Sequence, residues 1–241
     1  MINNSFGVSF DFWNTLYGNG DESKRQILRI EYFDKIVSKY KKIDRISIEN
    51  VFQASTAFFL NKWQNDYRTP SARERIQYMS KLLSVQLEEN DIEKICTYFG
   101  QLIFSVPPQN ISENLEIIKR FAEYYPLGII SDTGYISGKF IRDFLEQEHL
   151  ISFFKSFVFS DEQDYCKPHP SLFQKTCKKL NISCSKLIHI GDLEHTDIKG
   201  ANNSGCISIR YTGWNNGPPI DSQADHIVNN YKDLFQTIRN I

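Results

Sequence analysis

The apolar positions of the chain fall into two regimes. A short run, Phe6-Gly-Val-Ser-Phe10, ends abruptly in Asp11 and is followed by the turn signal Gly18-Asn-Gly20. This predicts a buried strand with a polar tip. From residue 17 to residue 105 the apolar residues then recur at helical spacing, as in Ile27, Ile30, Phe33 and Ile36, in Ile76, Met79 and Leu83, and in Ile92, Ile95 and Phe99. That block predicts helices without a convincing strand, and Pro107-Pro108 closes it.

Beyond the prolines, helical stretches alternate with short apolar runs at Leu127–Ile130, Ser156–Phe159, Lys186–Ile190, Cys206–Arg210 and His226–Val228. Strands separated by crossovers of that length predict an α/β fold, a doubly wound parallel (Rossmann-like) sheet. If the first strand joins this sheet, the core is discontinuous, 1–16 and 106–241, and residues 17–105 form an inserted all-helical cap domain. Ligands of such sheets sit beyond the carboxyl ends of the strands, which singles out Asp11, Ser131, the 161–167 loop and Asp192.

Composition narrows the function classes. A hydrophobic share of 41% with 24% charged residues supports a packed fold, and a net charge of -1 without a basic run argues against nucleic acid as a partner. No apolar run has the length of a membrane span and the start of the chain does not read as a signal peptide, so a cytoplasmic protein with no membrane partner is expected. The five cysteines, Cys96, Cys166, Cys177, Cys184 and Cys206, are scattered and odd in number. Free thiols in a reducing compartment fit better than disulfides or a zinc cage. Oligomeric state is not readable.

Four separated elements meet at the predicted strand ends: Asp11-Phe-Trp-Asn-Thr15-Leu16, Ser131-Asp-Thr-Gly134, Lys167-Pro-His-Pro170 and Gly191-Asp192-Leu-Glu-His-Thr-Asp197. In this order they resemble the four motifs of the haloacid dehalogenase-like superfamily, and the helical insertion resembles that of its capped members. The resemblance implies a hydrolase acting on a small phosphorylated substrate, with Asp11 as a nucleophile that carries the phosphoryl group as an aspartyl phosphate. It implies Mg²⁺ as cofactor, held by Asp11, Asp192, the backbone carbonyl of Trp13, and Asp197 either through water or as a supporting anchor. Lys167 would balance Asp11 and the transferring charge. Ser131 would bind a phosphoryl oxygen with help from backbone N–H groups near Asn14 and Asp132, and Thr15 would orient the nucleophile loop.

One departure bears on mechanism. Phosphatases of this superfamily carry a second aspartate two residues after the nucleophile as general acid and base, and this chain has Trp13 there. Loss of such a group costs roughly 10² to 10⁴ in rate. Three readings stay open: a phosphohydrolase favouring good leaving groups, or helped by a carboxylate from cap or substrate; a 2-haloacid dehalogenase-type hydrolase, whose halide leaves without a proton; and a non-catalytic phosphate- and metal-binding module. Asp192 and Asp197 favour the first, because dehalogenases of this fold work without metal. Asp132 stands where many members have Asn, so its carboxylate is expected to point away from the substrate. His189, His195 and His169 read as structural or turn residues. Specificity is expected within 17–105, where Trp63, Tyr67, Arg68, Arg73 and Arg75 are candidate substrate contacts. The turn-rich loop 211–217 reads as a surface turn.

Overall fold

A computed structural model describes residues 6–110, 114–214 and 221–241. Six strands, Gly7–Phe10 (β1), Leu127–Ser131 (β2), Phe154–Phe159 (β3), Leu187–Gly191 (β4), Ile207–Tyr211 (β5) and His226–Val228 (β6), form one sheet in the order β3-β2-β1-β4-β5-β6. Every pairing is parallel. β1, β2 and β4 are buried along their whole length, which is why they appear as unbroken apolar runs rather than alternating ones. Each expected strand is present, shifted by no more than two residues; β2 extends to include Ser131 and β4 to include Gly191.

Both faces of the sheet are covered. Asn114–Tyr124 (α5), Gly138–Gln147 (α6) and Tyr231–Arg239 (α9) pack Ile118, Phe121, Ile141, Phe144, Leu234 and Phe235 against Val8, Phe10, Ile129, Ile188 and Ile190. Pro170–Leu180 (α7) and the short Lys199–Asn203 (α8) cover the other face through Leu172, Phe173 and Ala201 against Ile130, Val158 and Leu187. Alternation of side chains across each strand divides the two cores.

Between β1 and α5 lie Glu22–Val37 (α1), Arg45–Asn65 (α2), Ala72–Leu82 (α3) and Glu89–Ser105 (α4). Their starts are fixed locally: Asp21 and Asp44 accept from the backbone N–H groups of Lys24 and Ser47, and Ser71 with Glu74 forms a capping box. The four helices enclose their own core of Ile30, Phe33, Ile48, Phe52, Ile76, Met79, Ile95 and Phe99, which Tyr135 from the loop after β2 completes. The two connections to this block are joined to each other. Gly18 and Gln109 exchange backbone hydrogen bonds of 3.0 and 3.1 Å, and the buried Arg25 donates to both Asn19 O and Val106 O. Of the turn-rich loop, 215–217 lies outside the described residues, while Trp214 packs on the sheet core. Among the described residues no helix is long and apolar enough to cross a membrane.

Candidate functional site

The strand order reverses direction of growth at β1 and β4, and the polar residues that follow these two strands face one another there. Asp11 directly follows β1, with its N–H donating to Ile190 O at 2.8 Å, and Asp192 directly follows β4. A cavity of about 330 Å³ opens at this point. Asp11, Trp13, Asn14, Asp132, Lys167 and Asp192 line it from the sheet side.

Lys167 is the charge centre. Its Nζ donates to Asp197 Oδ1 at 2.5 Å and stands 2.8 Å from Asp11 Oδ1, an ion pair. Burial would lower the lysine pKa, but Asp11, Asp197 and Asp132 together push it well above the ordinary range. Lys167 therefore stays charged at neutral pH.

Asp197 is spent on the protein itself. Oδ1 takes Lys167 and lies 3.1 Å from His189 Nε2, while Oδ2 accepts from Leu193 N at 3.1 Å and Thr196 Oγ1 at 3.3 Å. Burial would raise its pKa, yet Lys167 and His189 hold it well below the carboxylate range. Gly191 makes room for this arrangement, because a Cβ there would lie 2.2 Å from Asp197 Cγ. His189 is a wholly buried strand residue tied to Ser9 Oγ at 2.9 Å, in keeping with a structural role.

Asp11 and Asp192 have no such saturation. Burial raises the pKa of Asp11 against the pull of Lys167. Burial, then the charges of Asp197 and Asp11, push Asp192 up to about 8. Ligand oxygens of Asp11, Asp192 and Asp197 lie within 4.8 Å of one another, all three residues buried. Three carboxylates against one lysine leave an all-oxygen, electron-rich pocket that suits a small hard divalent cation.

Ser131, Thr15 and Asp197 stand behind the cavity wall rather than on it. Ser131 is buried; its hydroxyl makes a long 3.4 Å contact to Asp132 O and also hydrogen-bonds Asp11, favouring that carboxylate's charged form. Thr15 carries a buried Oγ1 without a hydrogen-bond partner among the described residues, and its carbonyl accepts from Tyr231 Oη at 2.6 Å. Asn14 adopts φ +52°, a conformation asparagine tolerates, which turns the loop after β1. The Asp132 carboxylate, at the cavity wall, accepts from Trp63 Nε1 at 2.8 Å and Lys167 N at 3.0 Å.

A family model for haloacid dehalogenase-like hydrolases matches residues 46–211. The chain belongs to that family. The match begins after the Asp11–Leu16 segment. A phosphoglycolate phosphatase of Vibrio cholerae is 30% identical over 102 residues, 42% of this chain and 45% of the relative. A glyceraldehyde 3-phosphate phosphatase of Pyrococcus furiosus is 30% identical over 120 residues, 48% of each. The chain thus spans just under half the length of these curated relatives. Among solved structures, an HAD phosphatase from Thermococcus onnurineus superposes with TM-score 0.70 at 18% identity over 97% of each chain. A 2-haloacid dehalogenase from Pseudomonas syringae gives 0.73 at 16% identity over 100% of this chain and 99% of its own. At these identities the likeness is one of fold.

The far side of this hydrolase's cavity comes from the helical block: Glu22 and Arg29 of α1, Phe59 and Trp63 of α2, and Arg75 of α3. Trp63 and Arg75 were expected. Arg68 and Arg73 instead pair at the surface with Glu74 and with Glu89 and Glu93, and Tyr67 is a solvent-facing residue at φ +50° whose carbonyl accepts from Cys166 N. Glu22, Arg29 and Tyr135 carry no motif, and only packing of α1 over the β2 loop brings them in. The scattered cysteines hold a surprise: Cys177, Cys184 and Cys206 converge on the far face of the sheet, all as free thiols, with Sγ of Cys184 2.7 Å from that of Cys177.

Proposed function

We propose that this chain is a Mg²⁺-dependent phosphohydrolase of a small phosphorylated metabolite, working through an aspartyl-phosphate on Asp11. The observation that carries the reading is the cluster of Asp11, Asp192 and Asp197 around the single buried Lys167 at the sheet's switch point. Asp11 and Asp192, joined by the carbonyl of Trp13, would hold the ion, which supplies charge neutralisation between the carboxylate and phosphate anions. Asp197, with both oxygens engaged, anchors Lys167 and the turn after β4.

In this mechanism Asp11 attacks phosphorus, the substrate's P–O bond breaks, and its alkoxide or carboxylate leaves; water then cleaves the aspartyl phosphate and regenerates Asp11. Lys167 counters charge on Asp11 and on the equatorial oxygens, backbone N–H groups near Asn14 and Asp132 bind those oxygens, and Ser131 steadies the Asp11 carboxylate from behind. Trp13 cannot protonate the leaving group. The cavity's cap carboxylate, Glu22, does not replace the missing acid: desolvation would raise its pKa, but Arg29 and Arg25 hold it below the ordinary range, so it stays ionised near neutrality. Substrates whose leaving group departs without protonation, such as acyl phosphates or aryl esters, are therefore favoured.

Residues 17–105 act as the cap that excludes water and selects the leaving group. The phosphatase relatives support the phosphoryl reading, and the free thiols suit a reducing cytoplasm. The test is hydrolysis of p-nitrophenyl phosphate, acetyl phosphate and 2-chloropropionate by wild type and Asp11→Asn, with Mg²⁺ and with EDTA. Phosphate release that needs both Mg²⁺ and Asp11 is the expected result; halide release insensitive to EDTA would move the assignment to a dehalogenase.

A further inference from the structure

At the end of the sheet away from the carboxylate cluster, three thiols from three different connections meet. Cys177 stands in the last turn of α7, Cys184 opens the short turn Cys184–Lys186 that leads into β4, and Cys206 directly precedes β5. All three therefore sit at the amino ends of β4 and β5, on the order of 15 Å from Asp192 along the five residues of β4. Their sulfurs lie within 4.8 Å of one another, with those of Cys177 and Cys184 at 2.7 Å, and Cys206 makes a hydrogen-bond contact with both of the others. No His, Asp or Glu adds a further ligand atom to this group among the described residues.

The surroundings are apolar on one side and open on the other. Cys177 and Cys206 are buried in the core that Leu180, Leu187 and Ala201 form, while Cys184 is half-buried at its edge between the exposed Ser183 and Ser185, which gives an ion a way in from solvent. An all-sulfur donor set selects soft cations over hard ones. Zinc almost always takes four ligands in such cages, whereas these residues offer three, the number that suits Cu(I). Sulfurs about 2.3 Å from such an ion stand about 4 Å apart in a trigonal plane, a spacing inside the observed 4.8 Å envelope. The Cys177–Cys184 pair has to open to reach it, and rotation of the Cys184 side chain at the edge of the core supplies that movement. A redox pair is less well served. The Cys206 contact, then burial, push the Cys177 thiol well above its ordinary range, and burial pushes that of Cys184 up to about 11, so neither is a thiolate nucleophile at neutral pH.

We propose that Cys177, Cys184 and Cys206 form a three-thiolate site for the soft monovalent cation Cu(I), separate from the all-oxygen cluster at Asp11. Uptake of the ion releases the thiol protons to solvent. The bound ion ties the end of α7 to the starts of β4 and β5, and the site is independent of the reaction that the carboxylate cluster performs.

The test titrates Cu(I) into the reduced chain without oxygen, in competition with the chromophoric chelator bicinchoninate, for wild type, Cys184→Ser and, as a control thiol from the helical block, Cys96→Ser. Wild type and Cys96→Ser are expected to withdraw one equivalent of Cu(I) from the chelator. Cys184→Ser should hold it at least about 100-fold more weakly, since even residues that only support a ligand are worth about 10- to 100-fold in metal affinity. X-ray absorption of the copper-loaded wild type, which needs no variant to fold, should show three sulfurs at about 2.3 Å. Equal affinity of wild type and Cys184→Ser, or a shell with fewer than three sulfurs, would overturn the inference.

Discussion

The indole N–H of Trp63 in α2 donates to the Asp132 carboxylate after β2 at 2.8 Å, directly tying the helical block to the catalytic end of the sheet. The other carboxylate oxygen accepts from the backbone N–H of Lys167, so one side chain links the block to the lysine loop. Burial raises the Asp132 pKa to about 6 despite the opposing charge of Lys167. A hydrogen bond to a charged partner is worth about 1.5–3 kcal/mol. Trp63→Phe is therefore expected to lower unfolding stability by about 1–3 kcal/mol in urea titrations and kcat/KM by about tenfold. Asp132→Asn should leave inhibition by inorganic phosphate within about threefold, because the carboxylate is engaged by Trp63 Nε1 and Lys167 N; a many-fold gain in phosphate affinity would contradict that engagement.

Thr15 offers a separation of stability from function. Its hydroxyl is buried without a hydrogen-bond partner among the described residues, and removing an unsatisfied polar group with an isosteric methyl is nearly neutral or stabilising. Thr15→Val should unfold within about 1 kcal/mol of wild type yet lose more than about tenfold in kcat if the hydroxyl orients the nucleophile loop during turnover. Equal kcat would assign Thr15 to packing alone.

Gly191 is held small by Asp197. A Cβ would sit 2.2 Å from the Asp197 Cγ and 2.4 Å from its Cβ, and neither atom belongs to a free side-chain end, since Asp197 is locked by Lys167 and Leu193 N. Gly191→Ala is expected to displace Asp197, lower the thermal midpoint and weaken Mg²⁺ binding by at least about tenfold, read by calorimetry.

The Asp192 carboxyl sets a pH signature. Its pKa is raised from 3.8 to about 8, chiefly by burial and then by Asp197 and Asp11, so the folded state binds the extra proton between those values. Its contribution to stability is complete below about pH 4 and is lost as pH rises through about 8. In EDTA, the thermal midpoint should fall between pH 5.5 and 8.5 by more for wild type than for Asp192→Asn. Mg²⁺, which competes with that proton, should raise the midpoint more at pH 8.5 than at pH 5.5. A Mg²⁺ shift independent of pH would remove Asp192 from the ion's ligands.

Much of the sheet side of the site was legible because Asp11, Asp132 and Asp192 directly follow unbroken apolar runs, and parallel topology brings such positions together whatever their separation in sequence. Asp11 and Asp192 are 181 positions apart but adjacent across β1 and β4. The roof was less legible. Helical periodicity locates the buried stripe of α1 and α3 but not which residue at its margin tips over a neighbouring loop, so Arg68 and Arg73 looked as suitable as Arg75, and Arg29 and Glu22 gave no signal. The meeting of Cys177, Cys184 and Cys206 is tertiary in the same sense: it depends on how α7 lies against the start of β5.

The clasp between Gly18 and Gln109, with Arg25 gripping both connectors, brings the two ends of the helical block to nearly one point in space. Seen from the sheet, the 90 intervening residues are a single wide loop whose closure is set by the clasp rather than by the length or contents of what it carries. The site is thereby built like a socket. Asp11, Asp132 and Asp192 hang from the strands, and a different plug of helices could be seated on the same two contacts without moving them.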